Sequence, residues 1–170
     1  QLALATVILG LSPGPAVFAT LARALQLGLQ PTFIFIAGIV AADFAFVMIT
    51  LLGLAAIAAT YAPLFMLLKL AGGVYLLYLA LKAWQSASRM ELKETRTQPP
   101  LALFMSGFAL TASNPKDLIF FLTFLPAFVN PLTAKPFEMG LAALTVTLAF
   151  IFTLSLYAFA AEFVRRKVVN

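Results

Sequence analysis

Hydrophobic residues in this chain come in membrane-length blocks rather than amphipathic stripes. Five such stretches can be drawn, at roughly 2–26, 32–60, 62–84, 101–129 and 137–164. Each exceeds the roughly 20 residues that a helix needs to cross about 30 Å of hydrocarbon. Between them stand turn residues: Gly28 and Pro31, Pro63, Pro99-Pro100, and Asn130-Pro131 with Pro136. The linker 85–100 is strongly polar. The pattern predicts an all-α polytopic membrane protein with five spans, the longer of which tilt, break or project beyond the hydrocarbon.

Two stretches are interrupted from within. The first contains Leu11-Ser12-Pro13-Gly14-Pro15 and the fourth contains Ser113-Asn114-Pro115-Lys116-Asp117. Proline lacks a backbone donor and clashes with the preceding turn, so the first and fourth helices are expected to break there and free carbonyls at membrane depth. Broken backbone survives in a bilayer only where protein or a polar cavity surrounds it. Sliding the chain on itself by about a hundred residues sets Pro13 on Pro115, Phe18 on Phe120 and Ser12 on Asn114. Paired breaks in corresponding halves point to a transporter built as three plus three inverted spans. Residues 1–86 then form a first three-helix repeat, 87–100 a cytoplasmic linker and 101–170 a second repeat without its sixth span. The start at Gln1 rather than methionine fits a trimmed chain; a true five-span protein is the alternative.

Composition narrows the class. The chain is 63% hydrophobic and 10% charged, with mean hydropathy +1.04, whereas a soluble domain carries about 25% charged residues. There is no cysteine and no histidine. That removes thiol redox chemistry, the usual metal ligands and the commonest neutral-pH proton shuttle. No catalytic residue, metal or cofactor is expected, and proton coupling would use a carboxylate, lysine or water. The net charge of +5 belongs to loops rather than to a nucleic-acid surface. Arg89, Lys93 and Arg96 lie in the linker, with Lys82 just before it, and Arg165, Arg166 and Lys167 in the tail. The turn after the fourth stretch has only Lys135. The positive-inside rule puts the linker and the tail, 165–170, in the cytoplasm and the N-terminus outside.

Buried polar residues are the candidates for chemistry. The stretch after Pro15 starts with free N–H groups at the positive end of a helix dipole, which favours an anion; a simple proline kink is the alternative. Lys116 and Asp117 lie about fifteen residues into their stretch, where a charge costs about 2.5–3.5 kcal/mol on insertion scales. They either face a cavity or serve the fold alone. Asp43 stands alone near the middle of the second stretch. It either receives a substrate ammonium or coupling proton, or forms a buried ion pair, with Lys116 the first candidate partner and Lys69 the second. Lys69 and Arg23 read as residues that snorkel to a membrane face. Gly72-Gly73 suits close helix packing, Tyr75 and Tyr78 line a cavity or pack, Trp84 suits the interface, and Met90–Arg96 could form a surface helix.

Four blocks together resemble the LysE/RhtB amino-acid exporters: Ser12-Pro13-Gly14-Pro15; Ala37-Gly38-Ile39 with Asp43; the run 68–79 around Gly72-Gly73; and Gly107-Phe108 ahead of Asn114-Pro115-Lys116. The resemblance implies six spans, a bacterial inner-membrane location and amino-acid export driven by the proton-motive force. Two positions depart from the family pattern. Ala16 stands where members often have Asn, and Ala42 where glycine is frequent before the aspartate. On this reading a zwitterionic substrate sets its carboxylate near Pro13, Gly14, Pro15, Ala16 and near Asn114, Pro115, Lys116. Asp43 takes the ammonium or the exchanged proton, and Asp117 joins it as a coupling or ion-pair residue. Homo-oligomerisation stays open, as does a small-molecule or cation efflux protein or channel. A membrane-embedded hydrolase lacks a base, and a disulfide carrier lacks its cysteines.

Overall fold

The computed structural model describes residues 1–60, 98–130 and 132–169, together with Leu70 and Val74. Seven helices run through them: α1 (Leu2–Leu11), α2 (Pro15–Leu27), α3 (Leu29–Thr60), α4 (Pro100–Ala112), α5 (Pro115–Thr123), α6 (Leu125–Phe128) and α7 (Pro136–Val169). There is no strand among the described residues. The third apolar stretch, with Lys69, Gly72-Gly73, Tyr75, Tyr78 and Trp84, and the Met90–Arg96 segment lie outside them.

Prolines set the helix starts. Pro15, Pro100, Pro115 and Pro136 each open a helix, where their missing N–H would have had no intrahelical acceptor. The same rule accounts for a departure from the sequence reading. The second stretch was expected to begin after Pro31, but α3 starts at Leu29 and holds Pro31 in its first turn. Gly28 alone makes the reversal from α2 to α3, with φ 79, a conformation that a side chain would strain.

Within α3, Leu29–Gly53 is long and apolar enough to cross a membrane, and so is Pro136–Lys167 within α7. The pair α1 and α2, bent by 60° at their break, makes a third span if taken as one. The fourth apolar stretch is divided as its proline predicts: α4 stops at Ala112 and α5 begins at Pro115. Leucines and phenylalanines such as Leu4, Leu52, Phe137 and Phe152 point outward. Helices apolar all round belong in lipid or in a core.

Inside, α2, α3, α5 and α7 share a core around Val17, Phe35, Ile39, Phe121, Val146 and Phe150. Two glycines bring α3 and α4 to backbone contact. A Cβ at Gly38 would fall on the Phe104 carbonyl, and one at Gly107 on the Phe35 carbonyl. From this crossing the two helices run in the same direction. Asp43 on α3 and Asn114 just past α4 therefore reach the same level and line one cavity.

Candidate functional site at two helix breaks

The two breaks touch. Between α1 and α2 the backbone is extended at Ser12 (φ −71, ψ 121) and at Gly14 (φ −155, ψ 179). Prolines at 13 and 15 leave the last carbonyls of α1 without their usual helical donors. Other helices supply them. Tyr157 Oη of α7 donates to the Leu11 carbonyl at 2.8 Å, and Lys116 Nζ of α5 donates to the Ser12 carbonyl at 3.4 Å. Gly14 has dihedrals open to any residue, and a Cβ there would lie 3.3 Å from Lys116 Nζ, the movable end of a flexible side chain.

At the second break Asn114 works in two directions. Its Oδ1 accepts from the Lys116 backbone N–H at 3.1 Å, capping α5, and its Nδ2 donates to Asp117 Oδ2 at 2.6 Å. The cap is the ordinary role of asparagine at a helix start. Neighbours on a helix point about 100° apart. Lys116 therefore reaches across to the first break while Asp117 turns back to Asn114.

Asp43 completes the group. It is 2% exposed, Asn114 and Asp117 are each 7% exposed, and Asp43 Oδ1 has no hydrogen-bond partner among the described residues. Ser12, Gly14, Asp43, Asn114, Lys116 and Asp117 line one cavity of about 20 Å³, walled by Ile39 and Phe150. That is room for about one water and not for an organic substrate.

Of the residues singled out from sequence, Gly14, Ala16, Asp43, Asn114, Lys116 and Asp117 line this cavity, while Pro13 stands in the first break and Pro15 and Pro115 open α2 and α5. Lys116 shares the cavity with Asp43 without an ion pair to it. Ion pairs among the described residues join Glu162 to Arg165 and Arg166 only. Arg23, read as a snorkelling residue, is half-buried; its guanidinium lies 3.9 Å from the centre of the Phe35 ring and donates to Ser106 Oγ at 3.2 Å. Sequence reasoning missed Tyr157. Its only signal is a phenol within an apolar helix, and its partner is 146 positions away.

All described secondary structure is helical, two helices are membrane-length with the α1–α2 pair a third span if taken as one, and buried charge gathers where two broken helices meet. These features define a helical membrane protein with a polar cluster buried where its broken helices meet. The chain belongs to the LysE type translocator family, which it matches over residues 7–169. Over 160 residues it is 24% identical to the homoserine/homoserine lactone efflux protein of Salmonella typhi, covering 94% of this chain and 78% of that protein. A leucine efflux protein of Klebsiella pneumoniae subsp. pneumoniae is 25% identical over 161 residues (93% and 76%). An uncharacterized membrane protein of Vibrio cholerae is 27% identical over 163 residues (94% and 78%). No solved structure matches the chain.

Proposed function

We propose that this translocator exports amino acids or close amino-acid derivatives across the bacterial inner membrane in exchange for protons. The observation that carries the reading is the meeting of the two breaks. Lys116 from the second break bonds the Ser12 carbonyl of the first, and Asp43 lines the same cavity. Such a centre offers both signs of charge to a zwitterion. The substrate carboxylate sits at the N-terminal ends of α2 and α5, near Gly14, Ala16 and Lys116, where helix dipoles and the ammonium favour an anion. The ammonium goes to Asp43. Efflux relatives named for leucine and for homoserine and its lactone support this class of cargo.

The closed cavity has no room for such a substrate, so transport requires the halves to part on alternate sides. In this reading 1–86 is a three-span repeat and 101–170 belongs to its inverted counterpart, with a cytoplasmic linker at 87–100 between them. The tail is cytoplasmic and the N-terminus outside. The test is uptake of labelled leucine and homoserine lactone into proteoliposomes under an imposed pH gradient, compared with organic dyes and inorganic cations. Asp43→Asn should insert normally and lose gradient-driven transport. Normal transport by that variant removes Asp43 from the mechanism, and transport of dyes or inorganic cations alone replaces the amino-acid reading.

A further inference from the structure

The described residues that line the cavity between the breaks carry an unbalanced charge. Among them, Asp43 and Asp117 are acidic and Lys116 is basic, while α1, α2 and α7 contribute only uncharged residues. Lys116 is engaged by the Ser12 carbonyl and one Asp117 oxygen by Asn114, but Asp43 Oδ1 is 2% exposed at residue level and has no donor. With all three groups ionised the sum is one negative charge, enclosed where uncompensated charge is costly.

We propose that Asp43 and Asp117 together hold one exchangeable proton in the closed conformation, and that a substrate ammonium and this proton replace each other in turn. The inference rests on the export reading and adds a stoichiometry to it. On the outer side the ammonium leaves the carboxylates and one proton from outside bonds to a carboxylate oxygen. On the inner side that O–H bond breaks, the proton passes to cytoplasmic water and the next ammonium enters. Both loaded forms are neutral when the cargo is a monocation, so its exchange moves no net charge. A zwitterion leaves the outgoing form at minus one, and each turnover then moves one positive charge inward. A proton fits better than a metal cation. The space is about 20 Å³, and Asn114 Oδ1 and Asp117 Oδ2 already accept hydrogen bonds, whereas oxygen-bound hard cations gather about six ligands or more.

Infrared spectroscopy of the full chain in lipid at neutral pH tests the proton directly. The chain has only six Asp and Glu residues in all, so the band of protonated carboxyls can be counted per protein. One is expected in the wild type, none in Asp43→Asn or Asp117→Asn, where Lys116 balances the remaining carboxylate, and two in Lys116→Met. A wild-type count of zero or two overturns the proposal. So does a band lost in only one Asn variant, a count unchanged by Lys116→Met, or loss of the band when sodium replaces choline in the buffer. In proteoliposomes, homoserine lactone flux should ignore membrane potential and leucine flux should follow it. Failure to carry either compound strikes the export reading and leaves the carboxyl count standing.

Discussion

At Leu11 and Ser12 the chain meets an obligation that any helix interrupted in lipid meets: its last carbonyls need donors, and the next residues are prolines. Tyr157 and Lys116 answer it from other helices. The two donors are not equivalent. Lys116 reaches Ser12 at 3.4 Å on a long flexible stem, while the Tyr157 hydroxyl ties the end of α1 to α7 at 2.8 Å on a stiff ring. Tyr157→Phe should therefore weaken the fold more than it changes substrate preference. Side-chain hydrogen bonds within membranes are worth about 0.6 kcal/mol on average and about 1.7 at most, so a loss of about 1 kcal/mol is expected in unfolding from bicelles. Relative flux of leucine against homoserine lactone should be unchanged. At this scale the sequence was half legible. Proline breaks are local and could be read from Pro13 and Pro115 alone, and the depth of Asp43, Lys116 and Asp117 marked them for attention. Which donor reaches which carbonyl depends on three-dimensional packing, so Tyr157 gave no sign of its partner.

Among the helices, the contact that sets the level of the site is the crossing of α3 and α4. Gly38 and Gly107 each face the other helix's backbone, and no rotamer change can relieve a Cβ set against a carbonyl. Gly38→Ala or Gly107→Ala should push the helices apart and shift Asp43 relative to Asn114. Overpacking costs about 1–3 kcal/mol, and both stability and transport should fall. Gly140 is the control, because a Cβ there meets nothing within 4 Å. In the first turns of α7, Gly140→Ala should be neutral or stabilise by up to about 1 kcal/mol. Thermal unfolding of the three variants in one detergent separates these outcomes; equal behaviour would remove the crossing as the element that positions the site. The motif blocks contained Gly38 and Gly107, but apolar sequence around a glycine does not say which helix approaches it. The start of α3 shows the opposite limit. Pro31 was read as punctuation, yet it lies in a first turn that tolerates it.

On the scale of the whole molecule, the helix ends sort onto two faces. Arg165 NH2 would lie 3.1 Å from a Cβ at Gly28, so the basic end of α7 sits against the α2–α3 turn. Glu162 holds Arg165 and Arg166 at 2.8 and 2.9 Å on the same end. Leu2, by contrast, shares a surface cavity with Thr133 and Glu138, which puts the start of α1 beside the loop before α7. The proposed orientation makes the first face cytoplasmic, following Arg165, Arg166 and Lys167 by the positive-inside rule, and the second face external. Since the chain has no cysteine, single cysteines can test this without background. Thr133→Cys should react with a membrane-impermeant maleimide in intact spheroplasts. Lys167→Cys should react only after permeabilisation. The reverse pattern would invert the protein and turn the proposed direction of proton and substrate movement around with it. The cavity at the breaks would keep its geometry and its charge, because nothing in the meeting of Ser12, Asp43, Lys116 and Asp117 depends on which face looks inward.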